Sequence, residues 1–161
     1  MSRAVRSFLP VGAVGGDPVT RFTGDPGAWL PRARHVGLDR WVLEVGAVGI
    51  DRPVEVTIGS AWHVGSTWWR SLRWVPLADE GDPLALERLL PDLDAELGLA
   101  HGRDGAFTLV LDGRYDPPGG YAGEALDVVA LGRLARRTIT GLLEHIATAL
   151  QHDGHATSRP R

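Results

Sequence analysis

Trp68, Arg70, Leu72 and Trp74 occupy alternate positions of one short segment. In a β-strand, alternate residues share a face. A guanidinium on an otherwise apolar face needs a carboxylate or a polar ligand group, because an unpaired buried charge is costly. Such a group could bind a ligand carboxylate or enolate oxygen through two parallel hydrogen bonds. Trp62 falls on the same parity in the preceding segment. Three indoles on one face could line a cavity for an aromatic or apolar ligand. They could equally form a packed core, or a face covered by a partner. A bulge at Trp68-Trp69 would instead turn Arg70 outward, and both placements stay open. Tyr115 ends the inward face of a later segment, where its phenol could donate to a ligand carbonyl.

Other candidates for chemistry are weaker. The parity of His63 is with Glu55 and Ala61, opposite Trp62, which puts it on the surface. Ser60 and Ser66 follow glycines but lack the G-x-S-x-G elbow. The Gly-rich run from Val11 to Gly16 lacks G-x-G-x-x-G and leads into Pro18, which argues against a nucleotide loop. His152-Asp153-Gly154-His155 has no third ordered ligand in sight and reads as polar tail. The chain has no Cys, no Lys and no Asn. That removes thiolate chemistry, cysteine metal sites, Schiff bases and the phosphate-loop lysine. No cofactor and no metal is expected, and no catalytic residue is identified. The Lys- and Asn-free composition suits a GC-rich bacterial genome.

The elements that must position these residues are mostly strands. The chain has 161 residues with a net charge of −3, enough for one ordinary domain over 1–151 followed by a disordered polar tail at 152–161. A weakly acidic chain has no field to attract nucleic acid. Pro10, Gly12, Gly15 and Gly16 break the N-terminus, so neither a signal peptide nor a membrane span is expected, and a cytoplasmic address is the default. Val5–Val11 forms a first strand. Asp17-Pro18 and Asp25-Pro26 each offer a cap followed by proline, hence two short helices. Strands follow near Arg40–Val48, Val54–Trp62 and Thr67–Val75, joined by turns at Gly49–Arg52 and Gly65-Ser66. Ala78–Pro83 reads as a loop and Leu84–Leu90 as a helical turn. Leu93, Ala95, Leu97 and Leu99 alternate with acids, which reads as a strand, with a helix as the alternative. Phe107, Leu109, Leu111, Gly113 and Tyr115 share one face of the last strand. A long helix over about Ala122–Leu150 carries an apolar stripe at Val128, Leu131, Gly132, Ala135, Ile139, Leu142, Leu143, Ile146 and Leu150, with Arg133 and Arg137 away from it.

Phe107–Gly119, with its Gly-x-Tyr-x-Pro-Pro ending, is followed by a helix containing Arg133–Thr138. Together with Asp25–Pro31 and Leu72-Arg73-Trp74, this pattern resembles the START-like, or SRPBCC, superfamily of polyketide cyclases, dehydratases and small lipid-binding proteins. The resemblance implies an α+β helix-grip fold: a curved antiparallel sheet wrapped around the long C-terminal helix, with two short helices after the first strand. The expected function is binding of a small hydrophobic or amphipathic ligand between sheet and helix. The expected lining is Trp62, Trp68, Trp74 and Tyr115, with Arg70 as anchor. A cyclase- or dehydratase-type enzyme and a ligand-free interaction protein with a packed core are the alternatives. Oligomeric state is not legible.

Overall fold

The computed structural model describes residues 2–12, 15–47, 50–77, 90–116 and 128–152, with the side chains of 47, 50–51, 128–131 and 134 set aside. Eight strands are found: β1 (Arg3–Val11), β2 (Arg34–Gly37), β3 (Arg40–Ala47), β4 (Ile50–Ile58), β5 (Trp62–Val64), β6 (Thr67–Pro76), β7 (Asp92–His101) and β8 (Phe107–Asp116). Two α-helices accompany them, α1 (Pro18–Thr23) and α2 (Val128–Gln151). Every pairing is antiparallel, in the order β1-β8-β7-β6-β4-β3-β2, with β5 pairing beside β6. Alternation decides the strands. Leu93, Ala95, Leu97 and Leu99 are buried while Asp92, Asp94 and Glu96 are exposed, so the strand reading of this segment prevails over the helical one.

The expected α+β helix-grip description needs correction. Among the described residues one eight-stranded sheet dominates, with a single long helix and one lone short helix. Asp25-Pro26 starts only a three-residue 3-10 turn, Pro26–Ala28. Gly27 is a poor helix former and Pro31 could not donate to a continuing helix. The first cap works as expected. Asp17 accepts from the Val19 N–H at 3.0 Å, and Pro18 opens α1. The Asp17 carboxyl is held below its usual range, chiefly by the Thr20 hydroxyl. Its cap contribution is therefore present near neutral pH and fades as the pH falls through that lowered value.

Two further boundaries differ. Ile50, Asp51 and Arg52 belong to β4 rather than to a turn. The expected strand over Val54–Trp62 ends at Ile58, and β5 is a separate three-residue strand. The Ala78–Pro83 loop, positions 84–89 of the expected helical turn, the Pro117–Gly120 segment, the helix start at 122–127 and positions 153–161 of the tail lie outside the described residues.

Helix α2 packs against both β1 and β3. Those strands are five places apart in the sheet. At about 4.8 Å per place a flat sheet would separate them by about 24 Å. A helix is only about 10 Å across, so the sheet must curl around it. The concave side holds the core: Leu43, Val54, Val56, Leu72, Trp74, Leu93, Leu97, Leu99, Leu109 and Leu111 from the strands, and Ala135, Ile139, Leu142, Leu143, Ile146 and Leu150 from the helix. Gly132 is also buried, and a Cβ there would stand 3.6 Å from the Tyr115 hydroxyl, an ordinary contact between helix and sheet. Arg133 and Arg137 are exposed.

Ile139 lies wholly inside this core. Ile139→Ala is expected to cost about 2–5 kcal/mol in urea melts, as large-to-small core changes do. Arg137→Ala should stay within about 0.5 kcal/mol. Equal losses would contradict the assigned helix face.

Candidate functional site

Arg70 is on the inner face and only 5 % exposed. Its guanidinium already has partners. Nε donates to the Phe22 carbonyl at 2.8 Å, and Nη1 to the Gly59 carbonyl at 2.9 Å. Nη2 donates to the Thr23 and Gly24 carbonyls, each at 2.6 Å. The last residues of α1 and the cap position after it therefore end on this one cation. That is what orphan carbonyls at a helix C-terminus need. Burial lowers the basicity of the group and nearby Asp25 opposes that shift. The expected anchor for a ligand is thus a clamp between β6, the end of β4 and the end of α1. Four of its five N–H donors are taken up by main chain.

The expected indole trio does not share a face. Trp62 pairs with Trp69, and His63 with Trp68. Trp62 and Trp69 lie on the outer face, while Trp68 and Trp74 lie on the inner face with Arg70. The break over Gly59–Ala61 resets the register, so parity counted from Val54 points Trp62 the wrong way. The Trp74 Nε1 donates to the Pro91 carbonyl at 2.8 Å, and its ring is in the core. Tyr115 is buried beside Leu93, which also pairs with Trp74. Trp68 is half-buried, with the His63 ring 4.6 Å from its own. His63 is exposed, but its pairing with Trp68 puts it on the inner-face side of β5, the opposite side from the one expected from its parity.

A different region has the form of a site. β2 pairs only with Arg40, Trp41 and Val42, so the rest of β3 has no strand on that side among the described residues. Between this free margin and α2 runs a groove of about 660 Å³. Its helix wall is Thr138, Gly141, Leu142, His145, Thr148, Ala149 and His152, a run at i, i+3, i+4 and i+7 spacing. Glu44, Val45 and Gly46 form the strand wall, and Pro31 and Arg32 close one side. The volume lies within the range of small-molecule sites, about 300–1,000 Å³.

The polar groups of the groove are held in place locally. The Nδ1 of His145 meets the Gly141 carbonyl at 2.9 Å, and the Nδ1 of His152 meets the Thr148 carbonyl at 2.8 Å. A carbonyl can only accept, so these bonds assign the ring proton to Nδ1 and leave Nε2 for another partner. Arg32 has φ +48°, a left-handed value that a non-glycine residue holds at a cost of about 1–3 kcal/mol. Among the described residues Arg32 has no ion-pair partner. Strain at a groove wall beside an unpaired cation is the kind of outlier that accompanies binding sites. Among the described residues no three His, Asp or Glu side chains gather to hold a metal, and no helix is long and apolar enough to cross a membrane.

His145 does not figure in the sequence reading, and His152 figures there only as tail. The available signal was the seven-residue spacing Thr138, His145, His152 along the flank of the apolar stripe. The stripe itself draws attention to the buried face and away from this flank.

No protein-family profile matches the chain, and no curated protein matches it. Among solved structures, one similar to it is a conserved protein from Geobacillus kaustophilus. The two are 15 % identical over 92 % of this chain and 93 % of that one, with a TM-score of 0.46. A likeness of that size carries no argument about function.

Arg70→Met should cost about 3–5 kcal/mol, because it strips one buried and three part-buried carbonyls of their donor. Arg70→Lys should restore only part of that, since an ammonium cannot reproduce the planar fork. Denaturant melts check this, and a loss under about 1 kcal/mol for Arg70→Met would contradict the clamp.

Proposed function

We propose that this protein binds a small amphipathic anion in the groove between α2 and β3. One observation carries the reading. A single groove combines an apolar surface, Val45, Leu142 and Ala149, with three groups able to carry positive charge, Arg32, His145 and His152. The apolar portion of a ligand would cover Val45, Leu142 and Ala149. Its anionic end would meet the Arg32 guanidinium, and each imidazole, in its doubly protonated form, would donate to it from Nε2–H. Glu44, the one acid on the groove walls, disfavours a second negative charge on the ligand.

The resemblance of the Phe107–Gly119 segment and the following helix to START-like proteins supports a small-ligand role, since that superfamily includes small lipid-binding proteins. The site proposed here is the flank of the helix rather than the face bearing Trp68 and Trp74.

Calorimetric titration with octanoate and with octanol tests the reading. Octanoate should bind at one equivalent and about fivefold or more tighter than the neutral alcohol. Arg32→Gly removes the cation and relieves the left-handed strain, so it should bring the two ligands to parity without loss of thermal stability. Ala149→Trp should fill the groove and abolish binding of both. Wild-type protein that binds neither ligand would refute the proposal.

A further inference from the structure

The strand wall of the groove is a piece of unfinished sheet. In an antiparallel ladder a residue turns its N–H and C=O toward one neighbouring strand, and successive residues alternate between the two sides. The register of β3 with β4 is unbroken from Arg40 and Thr57 to Ala47 and Ile50. Just before it, the Asp39 carbonyl accepts from the Ile58 N–H at 3.0 Å, so Asp39 faces β4. Trp41, Leu43 and Val45 then face β4 as well, while Val42, Glu44 and Gly46 face away from it. The far side of β4 agrees. Pro53, opposite Glu44, turns its carbonyl to the Leu77 N–H at 3.0 Å, so the main chains of that pair point apart. Arg34 of β2 pairs with Val42. Continued in that register, residue 32 would stand opposite Glu44. Arg32 has φ +48° instead and belongs to a turn, and β2 begins only at Arg34. Glu44 and Gly46, both exposed, therefore present two N–H donors and two carbonyl acceptors. The two residues stand about 7 Å apart, and among the described residues no strand meets them.

We infer that the ligand of the groove is a short extended peptide, bound by its C-terminal end, which adds to β3 in the line that β2 vacates. This inference rests on the anion site proposed above and specifies its ligand. An extended main chain is the group that repeats a donor and an acceptor at this spacing. The cation sets its direction. A peptide antiparallel to β3 runs the same way as β2, so its last residue lies next to Arg32 and its carboxylate meets the guanidinium. A parallel peptide would bring its amino group there instead. In the antiparallel arrangement the last residue pairs with Glu44 and exchanges both hydrogen bonds with it. The residue two before it pairs with Gly46. The penultimate side chain falls opposite Val45 and shares its face, toward Leu142 and Ala149 across the groove. The site therefore prefers an apolar penultimate residue. It disfavours an acidic last residue, whose side chain would lie beside that of Glu44.

Calorimetric titration of the full chain with acetyl-Gly-Leu-Gly tests this. The peptide should bind at one equivalent and compete with octanoate. It should lose about tenfold or more in affinity when its terminal carboxylate is made an amide. Methylating the nitrogen of its last glycine removes the donor to the Glu44 carbonyl and should weaken binding about fivefold or more. Methylating the leucine nitrogen, which points away from β3, should have a smaller effect. Amide exchange followed by NMR gives a direct readout on the protein. The Glu44 and Gly46 amide protons should exchange more slowly in the complex, while that of Val45, already turned to β4, should not change. If octanoate binds and the peptide does not, the inference is overturned and the anion site stands. Peptide binding that is indifferent to methylation at the last glycine, with no new protection at Glu44 and Gly46, overturns it as well. If neither octanoate nor the peptide binds, both readings fall.

Discussion

Among the described residues a single long helix has to cover the apolar side of a sheet built from eight strands. That constraint shapes the rest of the molecule. Burial is favourable roughly in proportion to the apolar area removed from water, and α2 is the only long helix among the described residues. The sheet therefore curls until β1 and β3 both touch that helix. Curling gathers Leu97, Leu99, Leu109 and Leu111 against Ile139, Leu143 and Ile146. It also has two consequences away from the core. The convex side is left with no layer over it among the described residues, and the margin of β3 stands off from the flank of the helix. The groove lies at the second of these surfaces.

Arg70 resolves a problem that this arrangement creates. Helix α1 is only six residues long, and most of its main-chain groups lie at an end. Its last carbonyls must find donors. A guanidinium from the inner face of β6 reaches three of them and, in addition, the Gly59 carbonyl at the point where β4 gives out. The buried cation donates to main-chain carbonyls, and the nearby Asp25 carboxylate opposes the effect of burial. An arginine among tryptophans on an apolar face looks the same in sequence whether its partner is a ligand or the chain itself.

The groove differs from the core in the kind of residue that lines it. Small side chains, Gly141 and Ala149, open space along the helix flank, and His145 and His152 occupy the same flank two turns apart. Local hydrogen bonds to Gly141 and Thr148 fix both rings, so their outward nitrogens are presented without further ordering. An unusual backbone angle at Arg32 aligns with the same cavity. The groove is lined from three separate stretches of chain, and each of them alone is unremarkable as sequence.

Periodicity in the sequence determined what is local. The alternation of Leu93, Ala95, Leu97 and Leu99 with acids specified β7 and its buried face, and the spacing from Ala135 to Leu150 specified the inward stripe of α2. The parity of Arg70 with Leu72 and Trp74 allowed the inward placement it has, while a bulge at Trp68-Trp69 would have turned it outward. Periodicity works there because a side chain's direction along an unbroken element follows from the backbone repeat. Only the tertiary structure decided what depends on interruption or distance. The break after Ile58 sent Trp62 to the opposite face from Trp68, and no residue count across Gly59–Ala61 carries that information. Three of the partners of Arg70 lie 46 to 48 residues upstream, on main-chain atoms that every sequence possesses. The groove walls come from residues 31–32, 44–46 and 138–152, brought together because one helix must span a curled sheet whose last strand, β2, is too short to cover its neighbour.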